Sequence, residues 1–152
     1  MNQGFVRGGS APQEDRCALG ADQEHRVAMG RRAAHFGEDY VAAKRSVADG
    51  VADAVDDFVS HVAWGSLWRR PGLSTRDRSL ITIALLAGSS SDQELASHVR
   101  AALSADVKLT EITELLLHVA VYAGAPRALG AVRAVESVLW GESPSPAAGD
   151  HP

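Results

Sequence analysis

Residues 61–84 read HVAWGSLWRRPGLSTRDRSLITIA, and this stretch decides the fold. It gathers two tryptophans and four arginines around a Pro71–Gly72 break, directly ahead of a strongly apolar run, a concentration found nowhere else in the chain. The residue before a proline disfavours the helical region, so any helix arriving from upstream must stop before Pro71. Ser74 then stands where it caps the next helix, with Asp77 three residues on as its capping-box partner. Leu80 to Ala87 is apolar nearly all round, the pattern of a central helix.

Working outward, apolar residues recur at three and four and nowhere alternate cleanly in twos, which predicts helices only. Upstream, Val51, Ala54, Val55, Phe58, Val59 and Val62 form one apolar stripe, and continuing it places His61, Trp64 and Trp68 on an adjoining face. A helix is expected from about Asp22 to Phe36, carrying Arg31 and Arg32 and ended by Gly37, followed by a short one over 38–47. Downstream, Gly88 and the run Ser89, Ser90, Ser91 end the central helix, and Ser91 with Glu94 forms a second expected capping box. In the helix that follows, Leu95, Val99, Ala102 and Leu103 face inward. His98 falls between Leu95 and Ala102 on the helical wheel, while Arg100 points away. Thr110 to Tyr122 is another apolar helix, containing His118 and closed by Gly124. Pro126 suits the first turn of the last helix, whose stripe is Ala128, Val132, Val135 and Leu139. The fold class is therefore all-α, a compact bundle of six or seven helices. Three helices are too apolar for a monomer of this size to cover, so burial at a subunit interface is expected.

Composition bounds what the bundle can do. A chain of 152 residues, 45% hydrophobic against 22% charged, has the balance of one globular domain. The expected division is a disordered tail over 1–21, a helical domain over 22–140 and a second disordered tail over 141–152. No run approaches the roughly 20 apolar residues of a bilayer span, and the start MNQGFVRGGS lacks a basic-then-apolar leader, so a cytoplasmic location is expected. The single Cys17 excludes an internal disulfide and a CxxC pair. A net charge of −4, with lysine only at Lys44 and Lys108, argues against nucleic acid and anionic membranes as partners.

The candidate chemistry is carried by histidine and arginine. His98, on the inward side of its helix, suits a proton donor or acceptor in a cleft, and equally suits a core histidine bonded to a carbonyl. His118, among Leu115, Leu116, Leu117 and Val119, reads as structural. Arg69, Arg70, Arg76 and Arg78 flank the Pro71–Gly72 break, where planar guanidinium groups are able to grip the carboxylates of an acidic substrate or form salt bridges. Trp64 and Trp68, one turn apart, read first as packing. His61, His98 and His118 are isolated from one another, and no metal pattern, nucleophile elbow or glycine-rich phosphate loop is present, so no cofactor is expected.

The blocks AWGSLWRRPGL (63–73), RDRSLITIALLA (76–87), ELASHVRAAL (94–103) and LLLHVAVYAGAPRAL (115–129), with GRRAAHFGEDYV upstream, resemble the carboxymuconolactone decarboxylase family in order and spacing. The resemblance spans about residues 24–140. It implies an all-α, AhpD-like fold assembled as homotrimers or homohexamers. A thiol-peroxidase branch of that superfamily carries CxxC before the histidine matched by His98. Here those positions are Ser91 and Glu94, so the redox activity is not implied.

What is implied is a decarboxylase acting without a cofactor on 4-carboxymuconolactone or a similar small acidic lactone. His98 would then handle the proton or the oxyanion and Arg70 a substrate carboxylate. Trp64 and Trp68 would wall out water, with Ser66, Arg78 and Tyr40 also at the substrate. The chain departs from the family pattern at four places: Ser66 stands for the usual glutamate after AWG, Tyr40 for a histidine, Ala105–Asp106 for Asn–Gly, and Lys108 for a capping threonine. Two alternatives accompany this reading. One is a same-fold enzyme of another step, such as a cyclisation, isomerisation or lactone opening in a biosynthetic pathway; the other is a non-catalytic oligomeric binding protein.

Overall fold

The computed structural model describes residues 13–47 and 50–141. Seven α-helices occur, with no strand among the described residues: α1 (Gln13–Phe36), α2 (Glu38–Val47), α3 (Val51–Ser60), α4 (Thr75–Ser89), α5 (Asp92–Ser104), α6 (Leu109–Tyr122) and α7 (Ala125–Trp140). Between α3 and α4 the chain winds through a π-helical stretch, His61–Ser66, and a 3-10 turn, Leu67–Arg69. The all-helical reading holds. Helix α1 starts at Gln13 rather than Asp22, so residues 13–21 of the expected tail are helical. The remaining tail residues, 1–12 and 142–152, lie outside the described residues.

Contacts gather the described residues into two compact units, 13–34 with 39–47 and 50–69, and His35–Glu38 with 70–141. In the first unit, Arg32 ties α1 to α3. Its side chain is buried, and its Nη2 donates to Asp56 Oδ1 at 2.8 Å while Nη1 donates to Asp56 Oδ2 and, at 2.9 Å, to Ser60 Oγ. A guanidinium removed from water needs such a fork of acceptors, since an unpaired buried charge is strongly unfavourable. The stripe on α3 has the expected spacing but is uncovered: Val51, Val55, Phe58, Val59 and Val62 are all exposed, Phe58 by 69%. From His61 the wider π winding departs from the helical wheel, and Trp64 ends up buried.

The second unit holds the main core. Ile83 and Ala87 of α4, Leu95, Val99 and Ala102 of α5, Ile112, Leu116 and Val119 of α6, and Ala128, Ala131, Ala134 and Val135 of α7 bury against one another. Small residues dominate the α7 face, which lets that helix approach its neighbours closely. Helix α4 is not covered on every side, as its all-round apolarity suggested. Ile81 and Leu85 remain exposed, the latter by 68%.

The helix starts separate into those the sequence announces and those it does not. Ser74 Oγ accepts the Asp77 N–H at 3.0 Å, as expected. The second expected cap does not form: Ser91 makes no side-chain cap bond, and its hydroxyl pairs with Ser89 Oγ at 3.0 Å. At α6 the N-cap is Lys108, whose side chain has no acceptor to offer. Glu111 supplies the reciprocal half, its Oε2 accepting the Lys108 N–H at 3.0 Å.

Between α5 and α6 the chain turns through Asp106, at φ 63°. That left-handed conformation crowds a Cβ, and aspartate tolerates it less well than glycine. Asp106→Gly is therefore expected to raise stability by about 0.5–1 kcal/mol, the relief of that crowding less the entropy that glycine adds to the unfolded chain. Denaturant unfolding of the two proteins side by side checks this.

Candidate functional site

The residues expected at the site divide between the two units. The first unit carries Tyr40, Trp64, Ser66 and Trp68, and the second carries Arg70, Arg78 and His98. In the first, Trp64 is buried and Trp68 half-buried, their ring centroids 4.5 Å apart at 31°. Tyr40 is also half-buried, and Ser66 is exposed. A close, tilted indole pair presents a large rigid apolar surface.

In the second unit the arginine cluster resolves into different jobs. Arg76 pairs with Glu111, and that hydrogen bond and charge hold the Glu111 carboxyl below its usual range. Arg78 is buried at 9% exposure and donates from Nη2 to the Arg70 carbonyl at 2.8 Å, so one of its roles is to pin the chain across the Pro71–Gly72 break. Its Nε has no hydrogen-bond partner among the described residues, which leaves one donor of a buried guanidinium for another acceptor. The Arg70 side chain is exposed, and no ion pair among the described residues engages it. The exposed Arg70 is thus open to an anion from solution, as is Arg69, which is also exposed and in no ion pair among the described residues.

His98 lies on α5 between the buried Leu95 and Ala102 and is itself partly buried. Two residues not singled out from the sequence accompany it. Phe36 meets His98 edge to face at 4.8 Å and 74°, and His35 lies 5.6 Å from His98 between ring centroids, tilted by 49°. The Phe36 and His35 rings are themselves 4.8 Å apart at 79°. Three aromatic rings therefore pack as a cluster at the end of α1, where Gly37, at φ 92°, turns the chain out of the helix. The available signal for His35 was its helical spacing from Ala28 and Arg32, both of which are buried.

Burial sets the charge of this cluster. Desolvation lowers the His98 pKa to about 4, with the charge on His35 adding to the effect; desolvation likewise lowers His35 to about 4. Both rings are neutral at neutral pH and able to donate or accept a hydrogen bond. His118 is exposed, not enclosed by its leucine neighbours, its Nδ1 3.2 Å from the Glu114 carbonyl and its ring stacked on Tyr122.

An apolar groove in the second unit lies elsewhere. About 480 Å³ in volume, it runs between α6 and α7, and Glu136 is the only ionisable residue on its wall. None of the expected site residues lines it. An acidic ligand would find no cation there, so this groove is not the candidate site.

Among the described residues no three of His, Cys, Asp and Glu converge as a metal set, and no helix is long and apolar enough to cross a membrane. The described residues form an all-helical protein in which two partly buried imidazoles are neutral at neutral pH. The chain belongs to the carboxymuconolactone decarboxylase family, whose pattern it matches over residues 53–137. The 4-carboxymuconolactone decarboxylase of Acinetobacter baylyi is 34% identical over 118 residues, which cover 78% of this chain and 88% of that protein. The nitrosuccinic acid decarboxylase of Metarhizium robertsii is 37% identical over 83 residues, 55% of this chain and 58% of that protein.

The lowered histidines carry a stability consequence. On unfolding, each recovers its ordinary value near 6.5 and takes up a proton that the folded protein excludes until about pH 4. Stability is therefore fully present above pH 6.5 and is lost progressively as pH falls toward 4. The expected result is a falling unfolding midpoint between pH 6.5 and 5, above the range in which carboxylates contribute, and a shallower fall in His98→Gln. Urea unfolding across that range checks it.

Proposed function

We propose that the protein is a decarboxylase of a small dicarboxylic acid whose departing carboxylate leaves its electrons in a conjugated electron sink, 4-carboxymuconolactone being the first substrate to try. Two relatives named as decarboxylases and the shared family support decarboxylation. The observation that carries the site is His98, held neutral in an apolar aromatic cluster on a core helix.

In such a reaction the bond between ring carbon and carboxylate breaks and CO2 departs. The electron pair moves through the conjugated double bond onto the lactone carbonyl, giving an extended enolate that is then protonated on carbon. The protein has to hold the spare carboxylate, stabilise the oxyanion and manage one proton. Arg70, exposed and without an ion pair among the described residues, suits the first task. A neutral His98 suits the second as an N–H donor whose strength grows as charge develops on the oxygen, and the apolar setting makes that bond stronger than it would be in water. Arg78, which donates to the Arg70 carbonyl, would shape the substrate end. Loss of the carboxylate is aided where it is desolvated.

A second substrate reading has its own support. Ser66 stands where the lactone decarboxylases usually have glutamate, and one relative is named for nitrosuccinic acid, an open-chain diacid in which a nitro group takes the place of the lactone as electron sink. Purified protein is expected to release CO2 from 4-carboxymuconolactone or from nitrosuccinate above the buffer rate. His98→Ala should lower kcat by roughly 10²–10⁴-fold, the usual scale for a positioned proton or oxyanion group. No release from either acid counts against the reading.

We also propose assembly through the uncovered apolar side chains, as homotrimers or homohexamers. The exposed row on α3 and the apolar α6–α7 groove are the surfaces that support this, since apolar patches on a protein surface often mark interaction sites. Sedimentation velocity is expected to show a trimer or hexamer. Phe58→Glu, which places a charge in the row on α3, should lower the assembly state or weaken it at micromolar concentration.

A further inference from the structure

The α6–α7 groove has no part in the proposed reaction, and the helix that forms one of its walls carries charges with nothing to do. Glu136 is half-buried on the α7 wall, and Arg133, three residues earlier, is exposed beside it. Residues at this spacing on a helix are near enough to pair. Neither forms an ion pair among the described residues. A carboxylate set in an apolar wall resists further burial unless a cation comes with whatever covers it.

The same wall has two exposed apolar ends, Leu129 at 63% and Trp140 at 74%. A face that bears one acid and one base between two apolar ends is complementary to a copy of itself turned end for end, which is the condition for a twofold contact. Consider two antiparallel α7 helices related by a twofold axis level with the midpoint between residues 134 and 135. Arg133 of one then lies at the height of the partner's Glu136, and the reverse pair forms on the other side of the axis. The same axis brings Leu129 to the height of the partner's Trp140. One register therefore matches both charges and both apolar ends, and an axis displaced by a full turn loses both matches.

The other uncovered face lacks this pattern. On α3 the exposed charges, Asp53 and Asp57, are both acidic, so two copies of that face would repel each other. An apolar small molecule in the α6–α7 groove would leave Arg133 and Glu136 as they are.

We propose that α7 is a twofold contact between copies of this chain, in which Arg133 of each pairs with the partner's Glu136 and Leu129 of each packs on the partner's Trp140. This rests on the assembly reading and sharpens it. A lone trimer has no twofold axis, so the assembly is a hexamer in which two trimers meet through α7.

The test is sedimentation velocity on the wild-type protein, on Arg133→Glu, on Glu136→Arg, on the double variant and on an equal mixture of the two single variants. Each single variant sets like charges against each other on both sides of the axis. Each is expected to fall from hexamer to trimer, with association weaker by roughly tenfold or more. The mixture and the double variant both restore opposite charges at every pair and are expected to return to the hexamer. Arginine and glutamate have similar helix propensities, and far-UV circular dichroism checks that every variant keeps its helices. A wild-type trimer, or a hexamer unchanged in the single variants, overturns the twofold and leaves the assembly reading standing. Single variants that dissociate but are not rescued by mixing overturn it as well, because the two charges then do not face each other. A dimer that follows the same pattern of loss and rescue upholds the twofold and removes the trimer. A wild-type monomer overturns both readings.

Discussion

A chain with Pro71 at its centre cannot run one helix through it, and the way the break is held governs what lies downstream. Arg78, one turn into α4, donates to the carbonyl of Arg70, on the other side of the turn, while Ser74 caps α4. Together they fix where α4 begins, and therefore which of its faces meets α5, α6 and α7. Ile83 and Ala87 reach the core because of that phase. With α5 packed on the same core, Leu95 and Val99 are buried and His98, between them in sequence, is held at the edge of the apolar interior. The buried guanidinium at the break and the imidazole on α5 thus belong to one framework, in which a backbone carbonyl is the fixed point.

The site's electrostatics follow from dryness more than from charge. Desolvation is the larger cause of the lowered value at His98, with the His35 charge second. A neutral imidazole in an apolar setting is weak as an acid toward water but effective toward an oxygen that gains charge during reaction, because the field lines are not screened. The exposed Arg70 has the complementary character: permanently charged and solvated, suited to attracting an anion rather than to sensing a change in it.

Much of this was legible in the sequence. The three-and-four spacing gave the helices, Pro71 and Gly37 gave two of their ends, and Ser74 with Asp77 gave a start that the structure confirms. His98 and the family resemblance were readable because they sit in blocks of distinctive order. Other features were not readable, for physical reasons. Ser91 and Glu94 have capping-box spacing, but a nearby hydroxyl, Ser89 Oγ, competes for the cap side chain. Periodicity shows that α3 has an apolar face and α4 an apolar edge, yet says nothing about whether anything within the chain covers them. His35 escaped notice because a histidine in a helix's last turn is usually solvated, and only the packing of Phe36 and His98 around it makes it unusual.

The π-helical stretch at His61–Ser66 has a genetic side. Each i→i+5 turn holds one residue more than the α-helical turn it replaces, so such a stretch is what remains when a helix accepts an inserted residue without unravelling. Removing a single residue between 61 and 66 would leave a sequence that still looks helical, but it would rotate Trp68 and Arg69 by about 100° relative to α3, the angle of one residue in a 3.6-residue turn. In this family member, change in the tryptophan-bearing wall is open to insertions and deletions as well as to substitutions, and a one-codon length difference there would signify a reshaped surface, not a neutral loop variation.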